Sequence, residues 1–134
     1  MDMNPKAVGE RSEGQILAAF LRAGKVVLTP FGDNQRYDMV LDEGGKFTRV
    51  QCKTAQVFPG YIQFPTCSNN WNTKKTRTYR GEADIFAVYA PGLDKVYLVP
   101  VDEVGVKCAR LRLEAARQGQ KKNIRWASDY EFKG

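Results

Sequence analysis

An α+β or α/β sandwich around one central sheet is the architecture this sequence predicts. Three observations predict it. An amphipathic helical stretch comes first, three strand-like segments follow, and the second half mixes a clear hairpin with an ambiguous segment. At 134 residues, 43% of them hydrophobic, the chain can bury one core and is too short to argue for two. One domain over residues 1–134 is therefore expected.

The elements follow in order. Residues 1–11 are polar and read as loose. Ser12 followed by Gln15 fits a capping box. A helix then runs through "EGQILAAFLRA" and stops at Gly24, a good residue for the position just past a helix end. Its apolar stripe is Ile16, Leu17, Phe20 and Leu21. Glu13, three residues before Ile16 and four before Leu17, heads the same face. "KVVLT" is a short strand closed by Pro30, and "FGDNQ" is a loop. "RYDMVLDEGGKFTRVQCKT", Arg36 to Thr54, reads as two strands around Gly44-Gly45. "YIQF" at Tyr61 to Phe64 is a further strand. Pro65 to Arg80 is a long polar segment with little periodicity, and such a loop in a small domain is usually functional or mobile. "ADIFAVYAPGLDKVYLVPV" is a hairpin turning at Pro91-Gly92. Beyond Asp102, "ARLRLEAARQGQ" alternates like a strand and then looks helical, so both readings stay open.

Composition removes several chemistries. The chain has no histidine, which excludes Ser-His-Asp and Cys-His catalysis and histidine-ligated zinc. Cys52, Cys67 and Cys108 form no CxxC pair, and their odd number suits free thiols in a reducing compartment. No apolar run approaches the ~20 residues that span a bilayer, and the N-terminus lacks the apolar stretch of a signal peptide. The expectation is a soluble, intracellular protein of cytoplasm or nucleoid, with no membrane partner. The net charge of +6 suits a nucleic-acid partner, because neutralising phosphates releases counterions. A solvated basic surface is the plainer alternative. "NTKKTRTYR" concentrates four cations in nine residues, Lys74, Lys75, Arg77 and Arg80, which are candidate phosphate contacts. "KKNIRW" holds three in six.

The Arg36–Thr54 hairpin carries the most chemistry. With a turn at Gly44-Gly45, Glu43 pairs with Lys46 and Asp38 lies opposite Gln51. A four-residue loop gives the same pairing. Facing partners have Cβ atoms about 4.5–5.5 Å apart on one face, and Lys53 shares that face by alternation. Tyr37, Met39, Leu41, Val50 and Cys52 fall on the other, mostly apolar face. Phosphodiester hydrolysis needs a cation that neutralises developing charge and generates hydroxide. Mg²⁺ takes oxygen ligands, commonly one or two carboxylates with waters and substrate phosphate. Asp38 offers the central carboxylate, Gln51 a neutral carbonyl oxygen and Cys52 its backbone carbonyl. Lys53 can hold the attacking water and counter the phosphate's charge, and Glu13 can add a second carboxylate. Arg36 and Arg49 lie close enough in sequence to touch the scissile backbone. The alternative is a surface hairpin with ordinary charges.

The order of Glu13, Asp38 and "QCK" resembles the PD-(D/E)xK nuclease superfamily. More narrowly, "GERSEGQILAAFLRAGKVVLTPFGDNQRYDMVLDEGGKFTRVQCKTA", "YRGEADIFAVYAPGLDKVYLVPVDEV" and "GQKKNIRWASDYEF" resemble the small group I intron-associated endonucleases of that superfamily, over most of the chain. The resemblance implies a restriction-endonuclease-like core, a central mixed sheet flanked by helices. It implies divalent-metal-dependent DNA cleavage with Mg²⁺, or Mn²⁺ in its place, on double-stranded or branched DNA by a homodimer or homotetramer. It would make Asp38 the main metal ligand, Gln51 the second, Lys53 the catalytic lysine and Glu13 the helix acid also seen in archaeal Holliday junction resolvases. Two positions depart from the motif: Tyr37 replaces its proline, and Gln51 replaces its acid.

Other residues carry two readings each. Glu82 and Asp84 either pair with the basic segment or fix the start of a strand. Trp71 and Tyr79 either stack on bases or pack within the loop. Trp126 and Tyr130 read as core anchors.

Overall fold

The computed structural model describes residues 4–70, 75–114 and 124–133, with the backbone alone at 69 and 70. Helix α1 is Pro5–Arg22. It begins well before the Ser12 capping box, so most of the segment expected to be loose is helical. Asn4 caps it, accepting the Ala7 N–H at 2.8 Å, and Pro5 occupies the first turn, where its missing N–H costs nothing. Ser12 is mid-helix and buried, sharing a 2.5 Å hydrogen bond with the Thr54 hydroxyl. The helix ends in a Schellman motif at Gly24, φ 77°, where the Lys25 N–H reaches the Phe20 carbonyl and the Gly24 N–H the Leu21 carbonyl. Leu21 is 56% exposed, so the buried stripe is narrower than the sequence suggests.

In chain order the strands are β1 Val26–Leu28, β2 Met39–Glu43, β3 Lys46–Thr54, β4 Gln56–Phe58, β5 Tyr61–Pro65, β6 Cys67–Asn70, β7 Lys75–Thr78, β8 Ile85–Ala90, β9 Lys95–Pro100 and β10 Cys108–Arg112. The central sheet has the order β1-β2-β3-β8-β9. It is mixed: β3 and β8 run parallel, and every other neighbouring pair is antiparallel. The β2–β3 register pairs Glu43 with Lys46 and Met39 with Val50, as the Gly44-Gly45 turn predicts. The β8–β9 hairpin turns over Pro91–Asp94. The segment read as a long loop forms β6 and β7, a hairpin of its own. Both its faces are polar, so it lacks the alternation that marks a strand. The ambiguous late segment is a strand as far as Arg112, and its helix-like remainder lies outside the described residues.

Two cores flank the central sheet. On one face α1 packs Ile16 and Phe20 against Met39, Leu41, Val50 and Ala87. On the other, Phe86, Val88, Tyr97 and Val99 meet Ile62, Phe64 and Leu111 from a second sheet of order β10-β5-β4. Among the described residues the second layer is therefore a sheet, where flanking helices were expected. A parallel pair needs a long crossover, commonly a helix. Here β4 to β7 make that crossover between β3 and β8. Tyr130 packs against the second core as expected, whereas Trp126 is 37% exposed and lies at an isolated bridge to Arg112. No described helix is long and apolar enough to cross a membrane.

The Ser12–Thr54 pair is a buried tie between α1 and β3. Ser12→Ala is expected to lower unfolding free energy by about 1–3 kcal/mol by leaving the Thr54 hydroxyl unsatisfied. Ser12→Ala with Thr54→Val recovers most of that loss. Urea denaturation of the three proteins checks it.

Candidate active site

The site forms where β2 stops and β3 continues. Asp38 stands immediately before β2, and its N–H bonds the Val50 carbonyl at 2.8 Å, one residue out of the ladder in which Met39 faces Val50. Its carboxylate then accepts the Cys52 N–H at 2.8 Å. A strand N–H points within the plane of its sheet, so the carboxylate that caps it lies near that plane. Asp38 thus takes the place of a backbone acceptor that a longer β2 would have supplied.

Parallel pairing with β8 fixes the faces of β3. Gln51 aligns with Phe86 and Lys53 with Val88, both in the core on the second-sheet side. Val50 and Cys52 align with Ile85 and Ala87, on the α1 side. Gln51 and Lys53 therefore share a face, as the alternation predicts, and it is the face opposite α1. Glu13 is on α1. Asp38 sits between them at the strand end, and the expectation that it shares one face with Gln51 and Lys53 is corrected to this edge position. The ladder breaks at Asp38 and turns its side chain inward along the sheet. Tyr37 is corrected too: it packs against the second-sheet core and not with Met39.

Asp38 and Glu13 line one open cleft of about 320 Å³ with Thr29, Pro30, Gly32, Asp33, Gln35 and Tyr37. Burial pushes the Asp38 carboxyl above its ordinary value, opposed by the Cys52 N–H and the Lys53 ammonium. Glu13 is raised by burial first, then by Asp38 and Glu10. Cys52 is pushed up by burial, then by the Asp38 and Glu13 carboxylates, and is an unreactive thiol. Two carboxylates, each made harder to ionise, face one space with little compensating charge. The Gln51 amide nitrogen approaches the Cys52 carbonyl at 3.4 Å.

Lys53 donates from Nζ to the Tyr79 hydroxyl at 3.1 Å, with Nζ 4.6 Å from the ring centroid. Tyr79 is 4% exposed and edge-on to Phe86, which rules out base stacking and makes it a core residue. Packing was one of its two expected readings, but its contact with Lys53 was not legible, because its segment shows no strand period. The Arg36 guanidinium carbon lies 4.0 Å from the centroid of the same ring. Its guanidinium donates to the Ser68 hydroxyl and to the Arg77 and Thr78 carbonyls, tying down the β6–β7 hairpin.

The remaining cations are placed as follows. Arg49 grips Asp84 through Nε and Nη2, while the Arg49 N–H also reaches that carboxylate. The side-chain hydrogen bonds from Arg49 hold Asp84 below its ordinary value. Asp84 thus fixes the start of β8 on β3. Arg77 pairs with Glu82, which also faces Arg36 at 3.6 Å. Arg80 donates to the Val104 carbonyl. Lys75 is exposed on β7. Lys74 and Trp71 lie outside the described residues. Asp33, a third acid on the cleft, was not singled out by the sequence, where it reads as an ordinary loop residue.

The bacterial homing endonuclease I-Ssp6803I has a similar solved structure, with a TM-score of 0.70 at 24% identity, covering 97% of this chain and 88% of that one. The likeness extends to the fold alone. No curated protein matches the chain in sequence. The family model for PD-(D/E)XK endonucleases matches residues 3–133. A match of that extent leaves almost nothing of the chain outside it, and the chain belongs to the PD-(D/E)XK endonuclease family.

Proposed function

We propose that the protein is a divalent-metal-dependent DNA endonuclease of the site-specific, intron-homing type, acting as a homodimer or homotetramer. One observation carries the reading: Asp38 and Glu13 share a cleft at the end of β2, beside the strand that bears Gln51 and Lys53. Family membership supports the nuclease chemistry, and the likeness to a bacterial homing endonuclease supports the biology. Junction resolution would use the same chemistry on branched DNA. A chain this small carries one such site, so cutting both strands calls for at least two copies.

The donor set fits Mg²⁺ or Mn²⁺. Among the described residues no group of three His, Cys, Asp or Glu side chains is disposed to hold a metal. A cation here would rest on Asp38 and Glu13 with neutral oxygens from Gln51 and the Cys52 backbone, which suits a hard ion that keeps water and substrate phosphate. When bound, it would neutralise phosphate charge and lower the pKa of a water. Lys53 holds the attacking water and counters charge on the phosphate in the transition state. Tyr79 positions Lys53. Lys75, with Lys74, Arg77, Arg80 and Arg49, contacts phosphates. Arg36 contributes from within, through the hairpin it ties.

Gln51 keeps a second reading alive, a DNA-binding protein on a nuclease fold. Plasmid incubated with Mg²⁺ or Mn²⁺ decides between them: cleavage lost in Asp38→Asn and Lys53→Ala supports the enzyme, and binding without cleavage across metals and DNA shapes rejects it. Each substitution is expected to slow cleavage by at least about 10²-fold. A carboxyl whose folded pKa is raised binds its proton more tightly in the native state. Its contribution to stability is present below the unfolded value and lost as pH rises through the folded one. Asp38→Asn in EDTA at neutral pH is therefore expected to hold or raise the melting temperature, measured by circular dichroism. Gln51→Glu is expected to keep the fold and lower the metal concentration for half-maximal cleavage. Tyr79→Phe keeps the ring and loses the hydroxyl, so kcat is expected to fall roughly tenfold with DNA affinity unchanged.

A further inference from the structure

The outer face of the β10-β5-β4 sheet carries an ordered array that the active site does not use. Across the strands, Arg112 faces Tyr61, which faces Phe58. One step along, Arg110 faces Gln63, which faces Gln56. Side chains alternate between faces. Ile62 and Leu111, between these rows, are fully buried in the core, so the six point outward. The array is preorganised. Tyr61 carries the Arg110 and Arg112 guanidiniums at 5.0 and 5.6 Å from its ring centroid. Phe58 stacks on Tyr61 at 4.9 Å and 16°. Arg110 Nε donates to Gln63 Oε1 at 2.8 Å. Glu114 stands past the array, at the Gly60 turn.

We propose that this face enters the major groove of duplex DNA and reads base edges, with Arg110 and Arg112 directed to guanine and Gln56 and Gln63 to adenine. It deepens the endonuclease reading and rests on it. Arginine presents a fork that matches two acceptors of guanine, and glutamine pairs likewise with adenine. Neighbouring strands lie about 4.8 Å apart, so the outer two of these three strands are about 9.6 Å apart, within the width of a groove about 12 Å across. Guanidiniums held on an aromatic ring and a rigid strand lose little freedom on docking. The face also adjoins the site. Only Thr54 and Ala55 separate Lys53 from Gln56, and a cavity of about 380 Å³ at the junction is lined by Thr54, Gln56 and Gln63.

The test selects binders from a randomised duplex library with the wild-type protein and with Arg110→Lys, Arg112→Lys and Gln63→Ala, each checked for unchanged melting temperature. Lysine keeps the charge and loses the fork. Wild type is expected to recover a defined site. Each variant is expected to lose about tenfold or more of the preference at one or two positions, with binding to an unrelated duplex and its salt dependence unchanged. Identical preferences in all four proteins would overturn the proposal, as would a wild type without sequence preference. Arg110→Ala weakening every duplex equally, with the log K–log salt slope reduced by about one, would make this a phosphate grip and overturn base reading. Unchanged preference with fewer subunits by light scattering would assign the face to a second copy of the chain. A wild type that binds and cleaves no duplex removes the site-specific homing reading itself, and this inference with it. A wild type that cleaves, with variants of unaltered preference, removes this inference alone.

Discussion

The site depends on one hydrogen bond, from the Cys52 N–H to the Asp38 carboxylate. It substitutes a charged side-chain oxygen for the backbone oxygen of a strand that has ended. Bonds to charged acceptors contribute about 1.5–3 kcal/mol, more than neutral ones, and the N–H would otherwise be a partly buried donor without a partner. The bond draws Asp38 into the sheet's plane, where burial raises its pKa. From that edge a single carboxylate faces α1 on one side of the sheet and Lys53 on the other. An acid on either face of β2 would reach only one of them. The half-buried carboxylate is a local cost to the fold, and its remaining lone pairs are what a cation would use.

The same sheet explains why so many arginines are occupied. The parallel β3–β8 pair obliges the chain to cross over, and it crosses through β4 to β7. That path returns beside Lys53, bringing Tyr79 into the core and leaving the hairpin outside. Arg36 and Glu82 fasten the hairpin to the body. These contacts differ in how easily they can be given up. Exposed pairs such as Arg77–Glu82 are worth about 0–1 kcal/mol, so exchanging the carboxylate for a phosphate costs little. Arg36 is different. Among the described residues its buried Nε has no hydrogen-bond partner and faces Glu82 only at ion-pair distance, and its other donors hold Ser68, Arg77 and Thr78. Moving it to a phosphate would release the hairpin and uncover the Tyr79 ring. A count of positive charge along the sequence does not separate these cases.

What the sequence made legible follows the strength of local signals. The β2–β3 register was readable because two glycines fix the turn and one face is apolar from Met39 to Val50. Gln51 and Lys53 were placed correctly by period alone. Asp38 was not, because alternation holds only inside the ladder and Asp38 stands one residue beyond it. The helix start was missed because Asn4-Pro5 and Ser12-Gln15 are both good start signals. The first prevailed because Ser12 gained a partner, Thr54, more than forty residues away. The β6–β7 hairpin has no core face and therefore no period. Its strand character comes from being fastened by Arg36, a contact that sequence spacing does not encode. The contact of Tyr79 with Lys53 was unreadable for the same reason.

Glutamine at position 51 then acquires a physical reading. An acid there would add a further negative charge beside Asp38, whose carboxyl, like that of Glu13, is already raised by burial. Like charges that share a small space push each other's pKa upward, and the native state loses stability at neutral pH. A neutral amide avoids that loss while leaving an oxygen available, since its nitrogen already leans on the Cys52 carbonyl. Under the proposed function the exchange has a counterpart in binding. With one fewer charged ligand, the cation depends more on substrate phosphate to complete its shell, as Mg²⁺ sites commonly do. Metal and DNA would then assemble together at Asp38, each weaker without the other. Under that function, glutamine at 51 would exchange resting metal affinity for stability of the folded chain between encounters with DNA.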